Sequence, residues 1–139
     1  MHSWKILLAD PDEMLLDEYE HFLCQACFNV ATAKSGLECV AKLRSFVPDV
    51  LVLEPDLPWG RGEGVLARMH EDLDVPRVPV LVLADRLDAE RLRCMDDFQV
   101  SAYYVKPLSP LELSQCIQRV LNITQQESLS VGAAENTPS

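Results

Sequence analysis

Four apolar runs in this chain each end in charged side chains, and those ends are where chemistry could be done. KILLA (5–9) is followed by Asp10, Asp12 and Glu13, VLVL (50–53) by Glu54 and Asp56, VLVLA (80–84) by Asp85, and AYYV (102–105) by Lys106 and Pro107. Carboxylates crowded together raise one another's proton affinity and need a counter-charge, from a divalent cation or from the ammonium. The same residue types also have a purely structural use. An acidic residue after a strand caps a helix and complements its dipole, which is the reading favoured for Asp12. Lys106 paired with Glu54 or Asp10 would be structural too, and spacing alone does not separate these uses.

Elements must bring these ends together. Residues 5–9, 28–33, 49–54, 78–84 and 101–105 read as five short buried strands, the fourth continuously apolar, as parallel strands covered on both faces tend to be. Between them lie helical periods. The first covers 12–27, with Leu15, Tyr19, Phe22 or Leu23, and Ala26 inward. The second opens on a capping box, Ser35 and Glu38, with Leu37, Val40, Ala41 and Leu43 on one face. Val65, Leu66, Met69 and Leu73 mark the third helix, and a weaker segment runs from Asp88 to Asp97. Ser109-Pro110-Leu111-Glu112 combines an N-cap, a proline at the first helical position and a capping-box glutamate. It opens a last helix with Leu113, Ile117, Val120 and Leu121 inward. Strands alternating with helices imply an α/β fold: a doubly wound, five-stranded parallel sheet with five helices. Ligands of such sheets sit beyond the carboxyl ends of the strands, where all four charged ends fall. Residues 1–122 form this one domain. The polar, aperiodic segment 123–139 is expected to be a disordered tail.

The totals narrow the partners. With 139 residues the chain has room for one domain and a real core, and its formal net charge of −10 disfavours direct contact with nucleic acid. The first residues, MHSWKILLAD, lack the basic start and long apolar run of a signal peptide, and no stretch reaches the length of a membrane span. Five scattered cysteines fit reduced thiols in a cytoplasm. Cys24 and Cys27 make a C-x-x-C, but they are expected on the apolar stripe of the first helix, and no second Cys/His pair completes a zinc site. His2, His21 and His70 sit at unrelated positions and read as ordinary surface or core residues.

From Lys5 to about Leu121 the chain resembles a receiver domain of bacterial two-component response regulators. The resemblance is carried by KILLADPDEMLL, PDVLVLEPDLPWGRG, VPVLVLA and SAYYVKPLSPLEL, with Pro58, Gly62 and the Lys106-Pro107 pair. It implies a flavodoxin-like, receiver-type fold and a cis Lys106–Pro107 bond. It also implies a magnesium site built from an acidic pair after the first strand and an aspartate at the tip of the third, which takes a phosphoryl group from a histidine kinase. Matched position by position, Asp10 is the first acid, Lys106 the phosphate-binding lysine and Tyr103 the switch aromatic. The other working positions depart. Pro11 stands at the second acid, Glu54 at the phospho-acceptor and Ala84 at the hydroxyl that contacts the phosphoryl group.

Each departure has a consequence. Proline gives a cation no ligand, so with Asp10 and Glu54 as the remaining donors any magnesium site is weak or absent and no cofactor is expected. Glutamate carries its carboxylate more than about 1 Å too far for in-line transfer, a displacement worth ~10²-fold or more. Alanine offers no hydrogen bond. The expectation is therefore a pseudo-receiver, not an enzyme, in phosphorelay signalling. Its acidic pocket (Asp10, Asp12, Asp56) would be held in one charge state by a Glu54–Lys106 ion pair, with Trp59 over the pocket. Its partner would be a histidine kinase or a downstream signalling protein, met through the fourth helix, fifth strand and fifth helix; Arg86, Arg91 and Arg93 make the fourth helix a contact as a group, while each taken singly reads as solvated charge. The alternative is a haloacid-dehalogenase-like phosphatase using Asp10 and Asp12, against which Lys106 stands after, not before, the acidic pair Asp96-Asp97. A flavodoxin-like nucleotide site is rejected, because ADPDE would repel a phosphate.

Overall fold

Every sheet pairing in the computed structural model, which describes residues 3–136, is parallel. The strands are β1 (Lys5–Ala9), β2 (Asn29–Ala33), β3 (Val50–Leu53), β4 (Val80–Ala84) and β5 (Ala102–Val105), in the order β2-β1-β3-β4-β5. The helices are α1 (Glu13–Gln25), α2 (Gly36–Phe46), α3 (Arg61–Glu71), α4 (Ala89–Asp96) and α5 (Pro110–Asn136). The expected doubly wound α/β sheet with five helices is thus the one observed.

The inner strands β3 and β4 are apolar and buried at every position because both faces of the sheet are covered there, whereas edge strand β2 carries Asn29 and Thr32. On one face Leu7, Leu51, Leu53 and Val82 pack with Cys39, Leu43, Leu66 and Met95 from α2, α3 and α4. On the other Ile6, Leu8, Val52 and Leu83 pack with Leu16, Leu23, Leu113 and Ile117 from α1 and α5. Each fully buried aliphatic side chain contributes about 1.5–3 kcal/mol relative to exposure. Helix starts follow the caps. The Asp12 carboxylate accepts from the amides of Met14 and Leu15, Ser35 Oγ from Glu38, and Asp88 from Arg91. Ser109 and Glu112 form the full reciprocal box, at 3.1 and 3.3 Å.

Several expected positions are corrected. Leu37 is 65% exposed and Ala41 is exposed, because the inward stripe of α2 is Gly36, Cys39, Val40 and Leu43. Leu73 is fully exposed, because α3 ends at Glu71 and the period does not carry past it. Ala26, Cys24 and Cys27 are exposed, not inward; α1 stops at Gln25 and Cys27 has a positive φ of 71°. The backbone of α5 is helical through Asn136, past the expected end at 122, since no glycine or proline interrupts 111–131. Residues 137–139 of the expected tail lie outside the described residues, as does His2.

Candidate functional site

Three residues of the site are each the first beyond a strand, and each has its amide held by the last carbonyl of the neighbouring strand. Asp10 donates to Ala33, Glu54 to Ala9 and Lys106 to Ala84, at 2.9, 2.9 and 2.8 Å. Extending the ladder by one residue sets these three side chains side by side at the sheet edge. The Lys106–Pro107 peptide bond is cis, as expected.

The corner they form is buried. Asp10 is 6% exposed and Glu54 2%. Lys106 Nζ lies 2.7 Å from Asp10 Oδ2, 3.6 Å from Glu54 Oε2 and 3.9 Å from Asp85 Oδ1. The lysine's short, hydrogen-bonded partner is therefore Asp10, and the fixed Glu54–Lys106 pair is corrected to a looser contact. The other Asp10 oxygen accepts from the Asp12 amide at 2.9 Å. Glu54 Oε2 is wholly buried and accepts no hydrogen bond among the described residues. Desolvation accordingly pushes the Glu54 carboxyl up to about 7; Lys106 opposes the rise, and the fields of Asp10, Asp85 and Asp56 add to it. Burial works against the Lys106 ammonium, but the hydrogen bond and field of Asp10, with the fields of Glu54 and Asp85, outweigh it and raise its pKa.

Two residues on, Asp56 is held differently. Its carboxylate takes a fork from Arg91 of α4, at 2.6 and 3.3 Å. That hydrogen bond, against a small desolvation, holds its pKa below the ordinary value. Arg91 is thereby an internal partner, not the free contact expected beside Arg86 and Arg93. No local sequence signal joins positions 56 and 91; only the fold brings them together.

Asp12 serves as the cap of α1 and also lines the cavity over the corner, whose volume is about 610 Å³. Trp59 does not line that cavity and is 75% exposed, so it is not the expected cover. The cavity instead extends between α1 and α5, where Glu18, Tyr19 and Leu108 form walls that sequence reasoning missed. Tyr19 Oη donates to the Leu108 carbonyl at 2.6 Å. Burial, then the fields of Asp10, Glu18 and Glu112, push the Tyr19 phenol up to about 12. Ala84 is fully buried at the end of β4, and half-buried Tyr103 packs against the same cluster.

A magnesium site must be tested on these donors. Carboxylate oxygens of Glu54, Asp56 and Asp85 lie within 4.8 Å of one another, a hard-donor set. Of these, Asp56 is hydrogen-bonded to Arg91, while Lys106 Nζ stands near Glu54 and Asp85 without a hydrogen bond to either. Asp10 has both oxygens engaged, and Pro11 supplies none.

Comparison with known proteins settles the family. The model of the response regulator receiver domain matches residues 6–118. The chain belongs to the response regulator receiver family. It is 32% identical over 129 residues to "Probable transcriptional regulator ycf27" of Guillardia theta, covering 91% of this chain and 48% of that protein. Over 88% of its length it is 27% identical to "Hybrid signal transduction histidine kinase D" of Dictyostelium discoideum, of which the match covers 8%. The chain thus spans about half or less of these curated relatives. Its backbone superposes on the CheY-like receiver domain protein of Methanospirillum hungatei JF-1 with a TM-score of 0.82 and 22% identity, covering 91% of this chain and 99% of that one. Receiver domains are signalling modules that work with histidine kinases and other signalling proteins in two-component systems. Nothing here supports the phosphatase alternative. Among the described residues no helix is long and apolar enough to cross a membrane.

Proposed function

We propose that this receiver is a pseudo-receiver, signalling through protein contact without accepting a phosphoryl group. The observation that carries this is the corner itself. Glu54 stands at the acceptor position, buried, while Lys106, the group that would receive the phosphoryl oxygens, is hydrogen-bonded to Asp10. Around it Pro11 removes a metal ligand and Ala84 removes the hydroxyl. Magnesium, if it enters, competes with Lys106 and Arg91 and binds weakly. The partner is a histidine kinase or a downstream protein, and the face formed by α4, β5 and α5 is the proposed contact, where Val105 and Leu111 are exposed. The five cysteines, all free thiols, fit a reducing cytoplasm.

The test is labelling by acetyl phosphate with millimolar magnesium, read by intact mass. The wild-type chain and Glu54→Asp should gain little or no phosphoryl mass, whereas Pro11→Asp, Glu54→Asp and Ala84→Thr combined should gain substantially more, because these groups act as a unit. Rapid labelling of the wild type, or of Glu54→Asp alone, would falsify the reading.

A further inference from the structure

The cavity over Glu54 is larger than a phosphoryl group or a metal ion requires, and it runs on into the cleft between α1 and α5. Its volume, about 610 Å³, is that of a small-molecule or side-chain pocket. Seven carboxylates line it against a single ammonium, Lys106. Four are hydrogen-bonded, Asp10 by Lys106, Asp12 by the amides of α1, Asp56 by Arg91 and Glu112 by the Ser109 amide, and a fifth, exposed Asp85, lies 3.9 Å from Lys106. Two stand apart. Glu54, at the floor, is 98% removed from solvent by its 2% exposure and has an oxygen with no hydrogen-bond donor. Glu18, on α1, is exposed and lines the cavity with no hydrogen bond or ion pair of its own among the described residues. Apolar surface from Leu15, Pro107, Leu108 and Pro110 completes the lining.

A buried oxygen without a donor costs about 1–3 kcal/mol and is relieved by any donor that reaches it. Phosphate is repelled by the surrounding carboxylates, and a small hard cation leaves the apolar lining unused. We infer that this cavity takes an organic cation, a guanidinium or primary ammonium head on an alkyl stem, with the head at Glu54 and the stem along Leu15 and Leu108. Snorkelling side chains have this form, apolar stem and charged tip, and so do free polyamines. The inference deepens the pseudo-receiver reading and rests on it, since a working phosphorylation site would leave Glu54 no such role.

Calorimetric titration at constant ionic strength tests it, with three probes: a blocked peptide of alternating arginine and glycine, spermidine, and magnesium chloride. The peptide or spermidine should saturate the wild-type chain. Glu54→Gln should weaken that binding by about tenfold or more, the scale of a desolvated charge contact, and Glu18→Gln by about threefold. Glu71→Gln, on the exposed end of α3 away from the cavity, should leave it unchanged. Tighter binding of the peptide identifies a partner protein's basic side chain as the source, and tighter binding of spermidine a free cation; both sustain the inference. It is overturned if neither probe saturates, or if Glu71→Gln matters as much as Glu54→Gln, which would be general attraction to an acidic chain. Displacement of both probes by low magnesium would overturn it in favour of a metal. Acetyl phosphate labelling of the wild type would sink the underlying reading whatever the titrations give, so the two failures are told apart.

Discussion

Glu54 and Asp56 are two residues apart on one loop, and their carboxylates have opposite fates. Glu54 is drawn into the sheet edge, where its nearest cation stops at 3.6 Å and gives its hydrogen bond to Asp10. Asp56 stays at the surface and receives a two-pronged guanidinium at 2.6 and 3.3 Å. One pKa goes up to about 7 and the other goes down. The difference shows that a nearby charge does not decide the protonation of a carboxyl. Geometry and solvent do: a cation that arrives without a hydrogen bond does not offset the loss of water.

Removing the cation of the buried corner should have the largest effect. Lys106→Met leaves Asp10 and Glu54 buried without a counter-charge and is expected to destabilise the domain by about 3–5 kcal/mol at pH 8 in urea unfolding. The loss should shrink as pH falls below about 7 and the Glu54 carboxyl takes up its proton. A cost under about 1 kcal/mol would mean that the corner is wet.

Next comes Glu54 itself. Its folded pKa lies above its unfolded value of 4.5, so between 4.5 and about 7 the folded chain holds more proton than the unfolded one. Stability from this group is therefore greatest at and below pH 4.5 and declines as pH rises to about 7, by at most about 3 kcal/mol. Glu54→Gln should remove that decline. It should be the more stable protein at pH 8 and nearly equal to wild type at pH 4.5. A variant less stable than wild type at pH 8 would show that Glu54 is well paired.

The Asp56–Arg91 fork should be worth less, about 1 kcal/mol and sensitive to salt, because it is part-exposed. Arg91→Lys keeps the charge and loses the fork, so amide exchange in α4 should quicken while global stability hardly moves. Equal exchange in both proteins would mean that the fork does not hold α4.

The sheet, its doubly wound class and the cap residues Asp12, Ser35 and Ser109 were legible because they rest on local patterns, apolar runs and cap spacing. So was the gathering of Asp10, Glu54 and Lys106, which needs only that three strand ends share one edge. Which carboxylate the lysine chooses was not legible. That depends on tenths of an ångström set by the backbone ladder. Nor was Arg91 on Asp56, a contact between elements far apart in the chain. Leu37 and Leu73 were misplaced for a simpler reason: apolar period says where a stripe can run, not where the helix ends or which of two adjacent stripes faces in.

The loop that leaves Glu54 is stitched to the start of α2, the Gly36 and Leu37 amides donating to the Pro58 and Trp59 carbonyls at 2.8 and 3.0 Å. A methyl group on Gly36 would meet the Trp59 oxygen at 2.5 Å, so the two backbones touch with nothing between them. A shift of that loop would have to tear two amides from their acceptors or drag the helix along. Loop and helix are therefore one unit, and the residues after Glu54 keep their place only together with the start of α2.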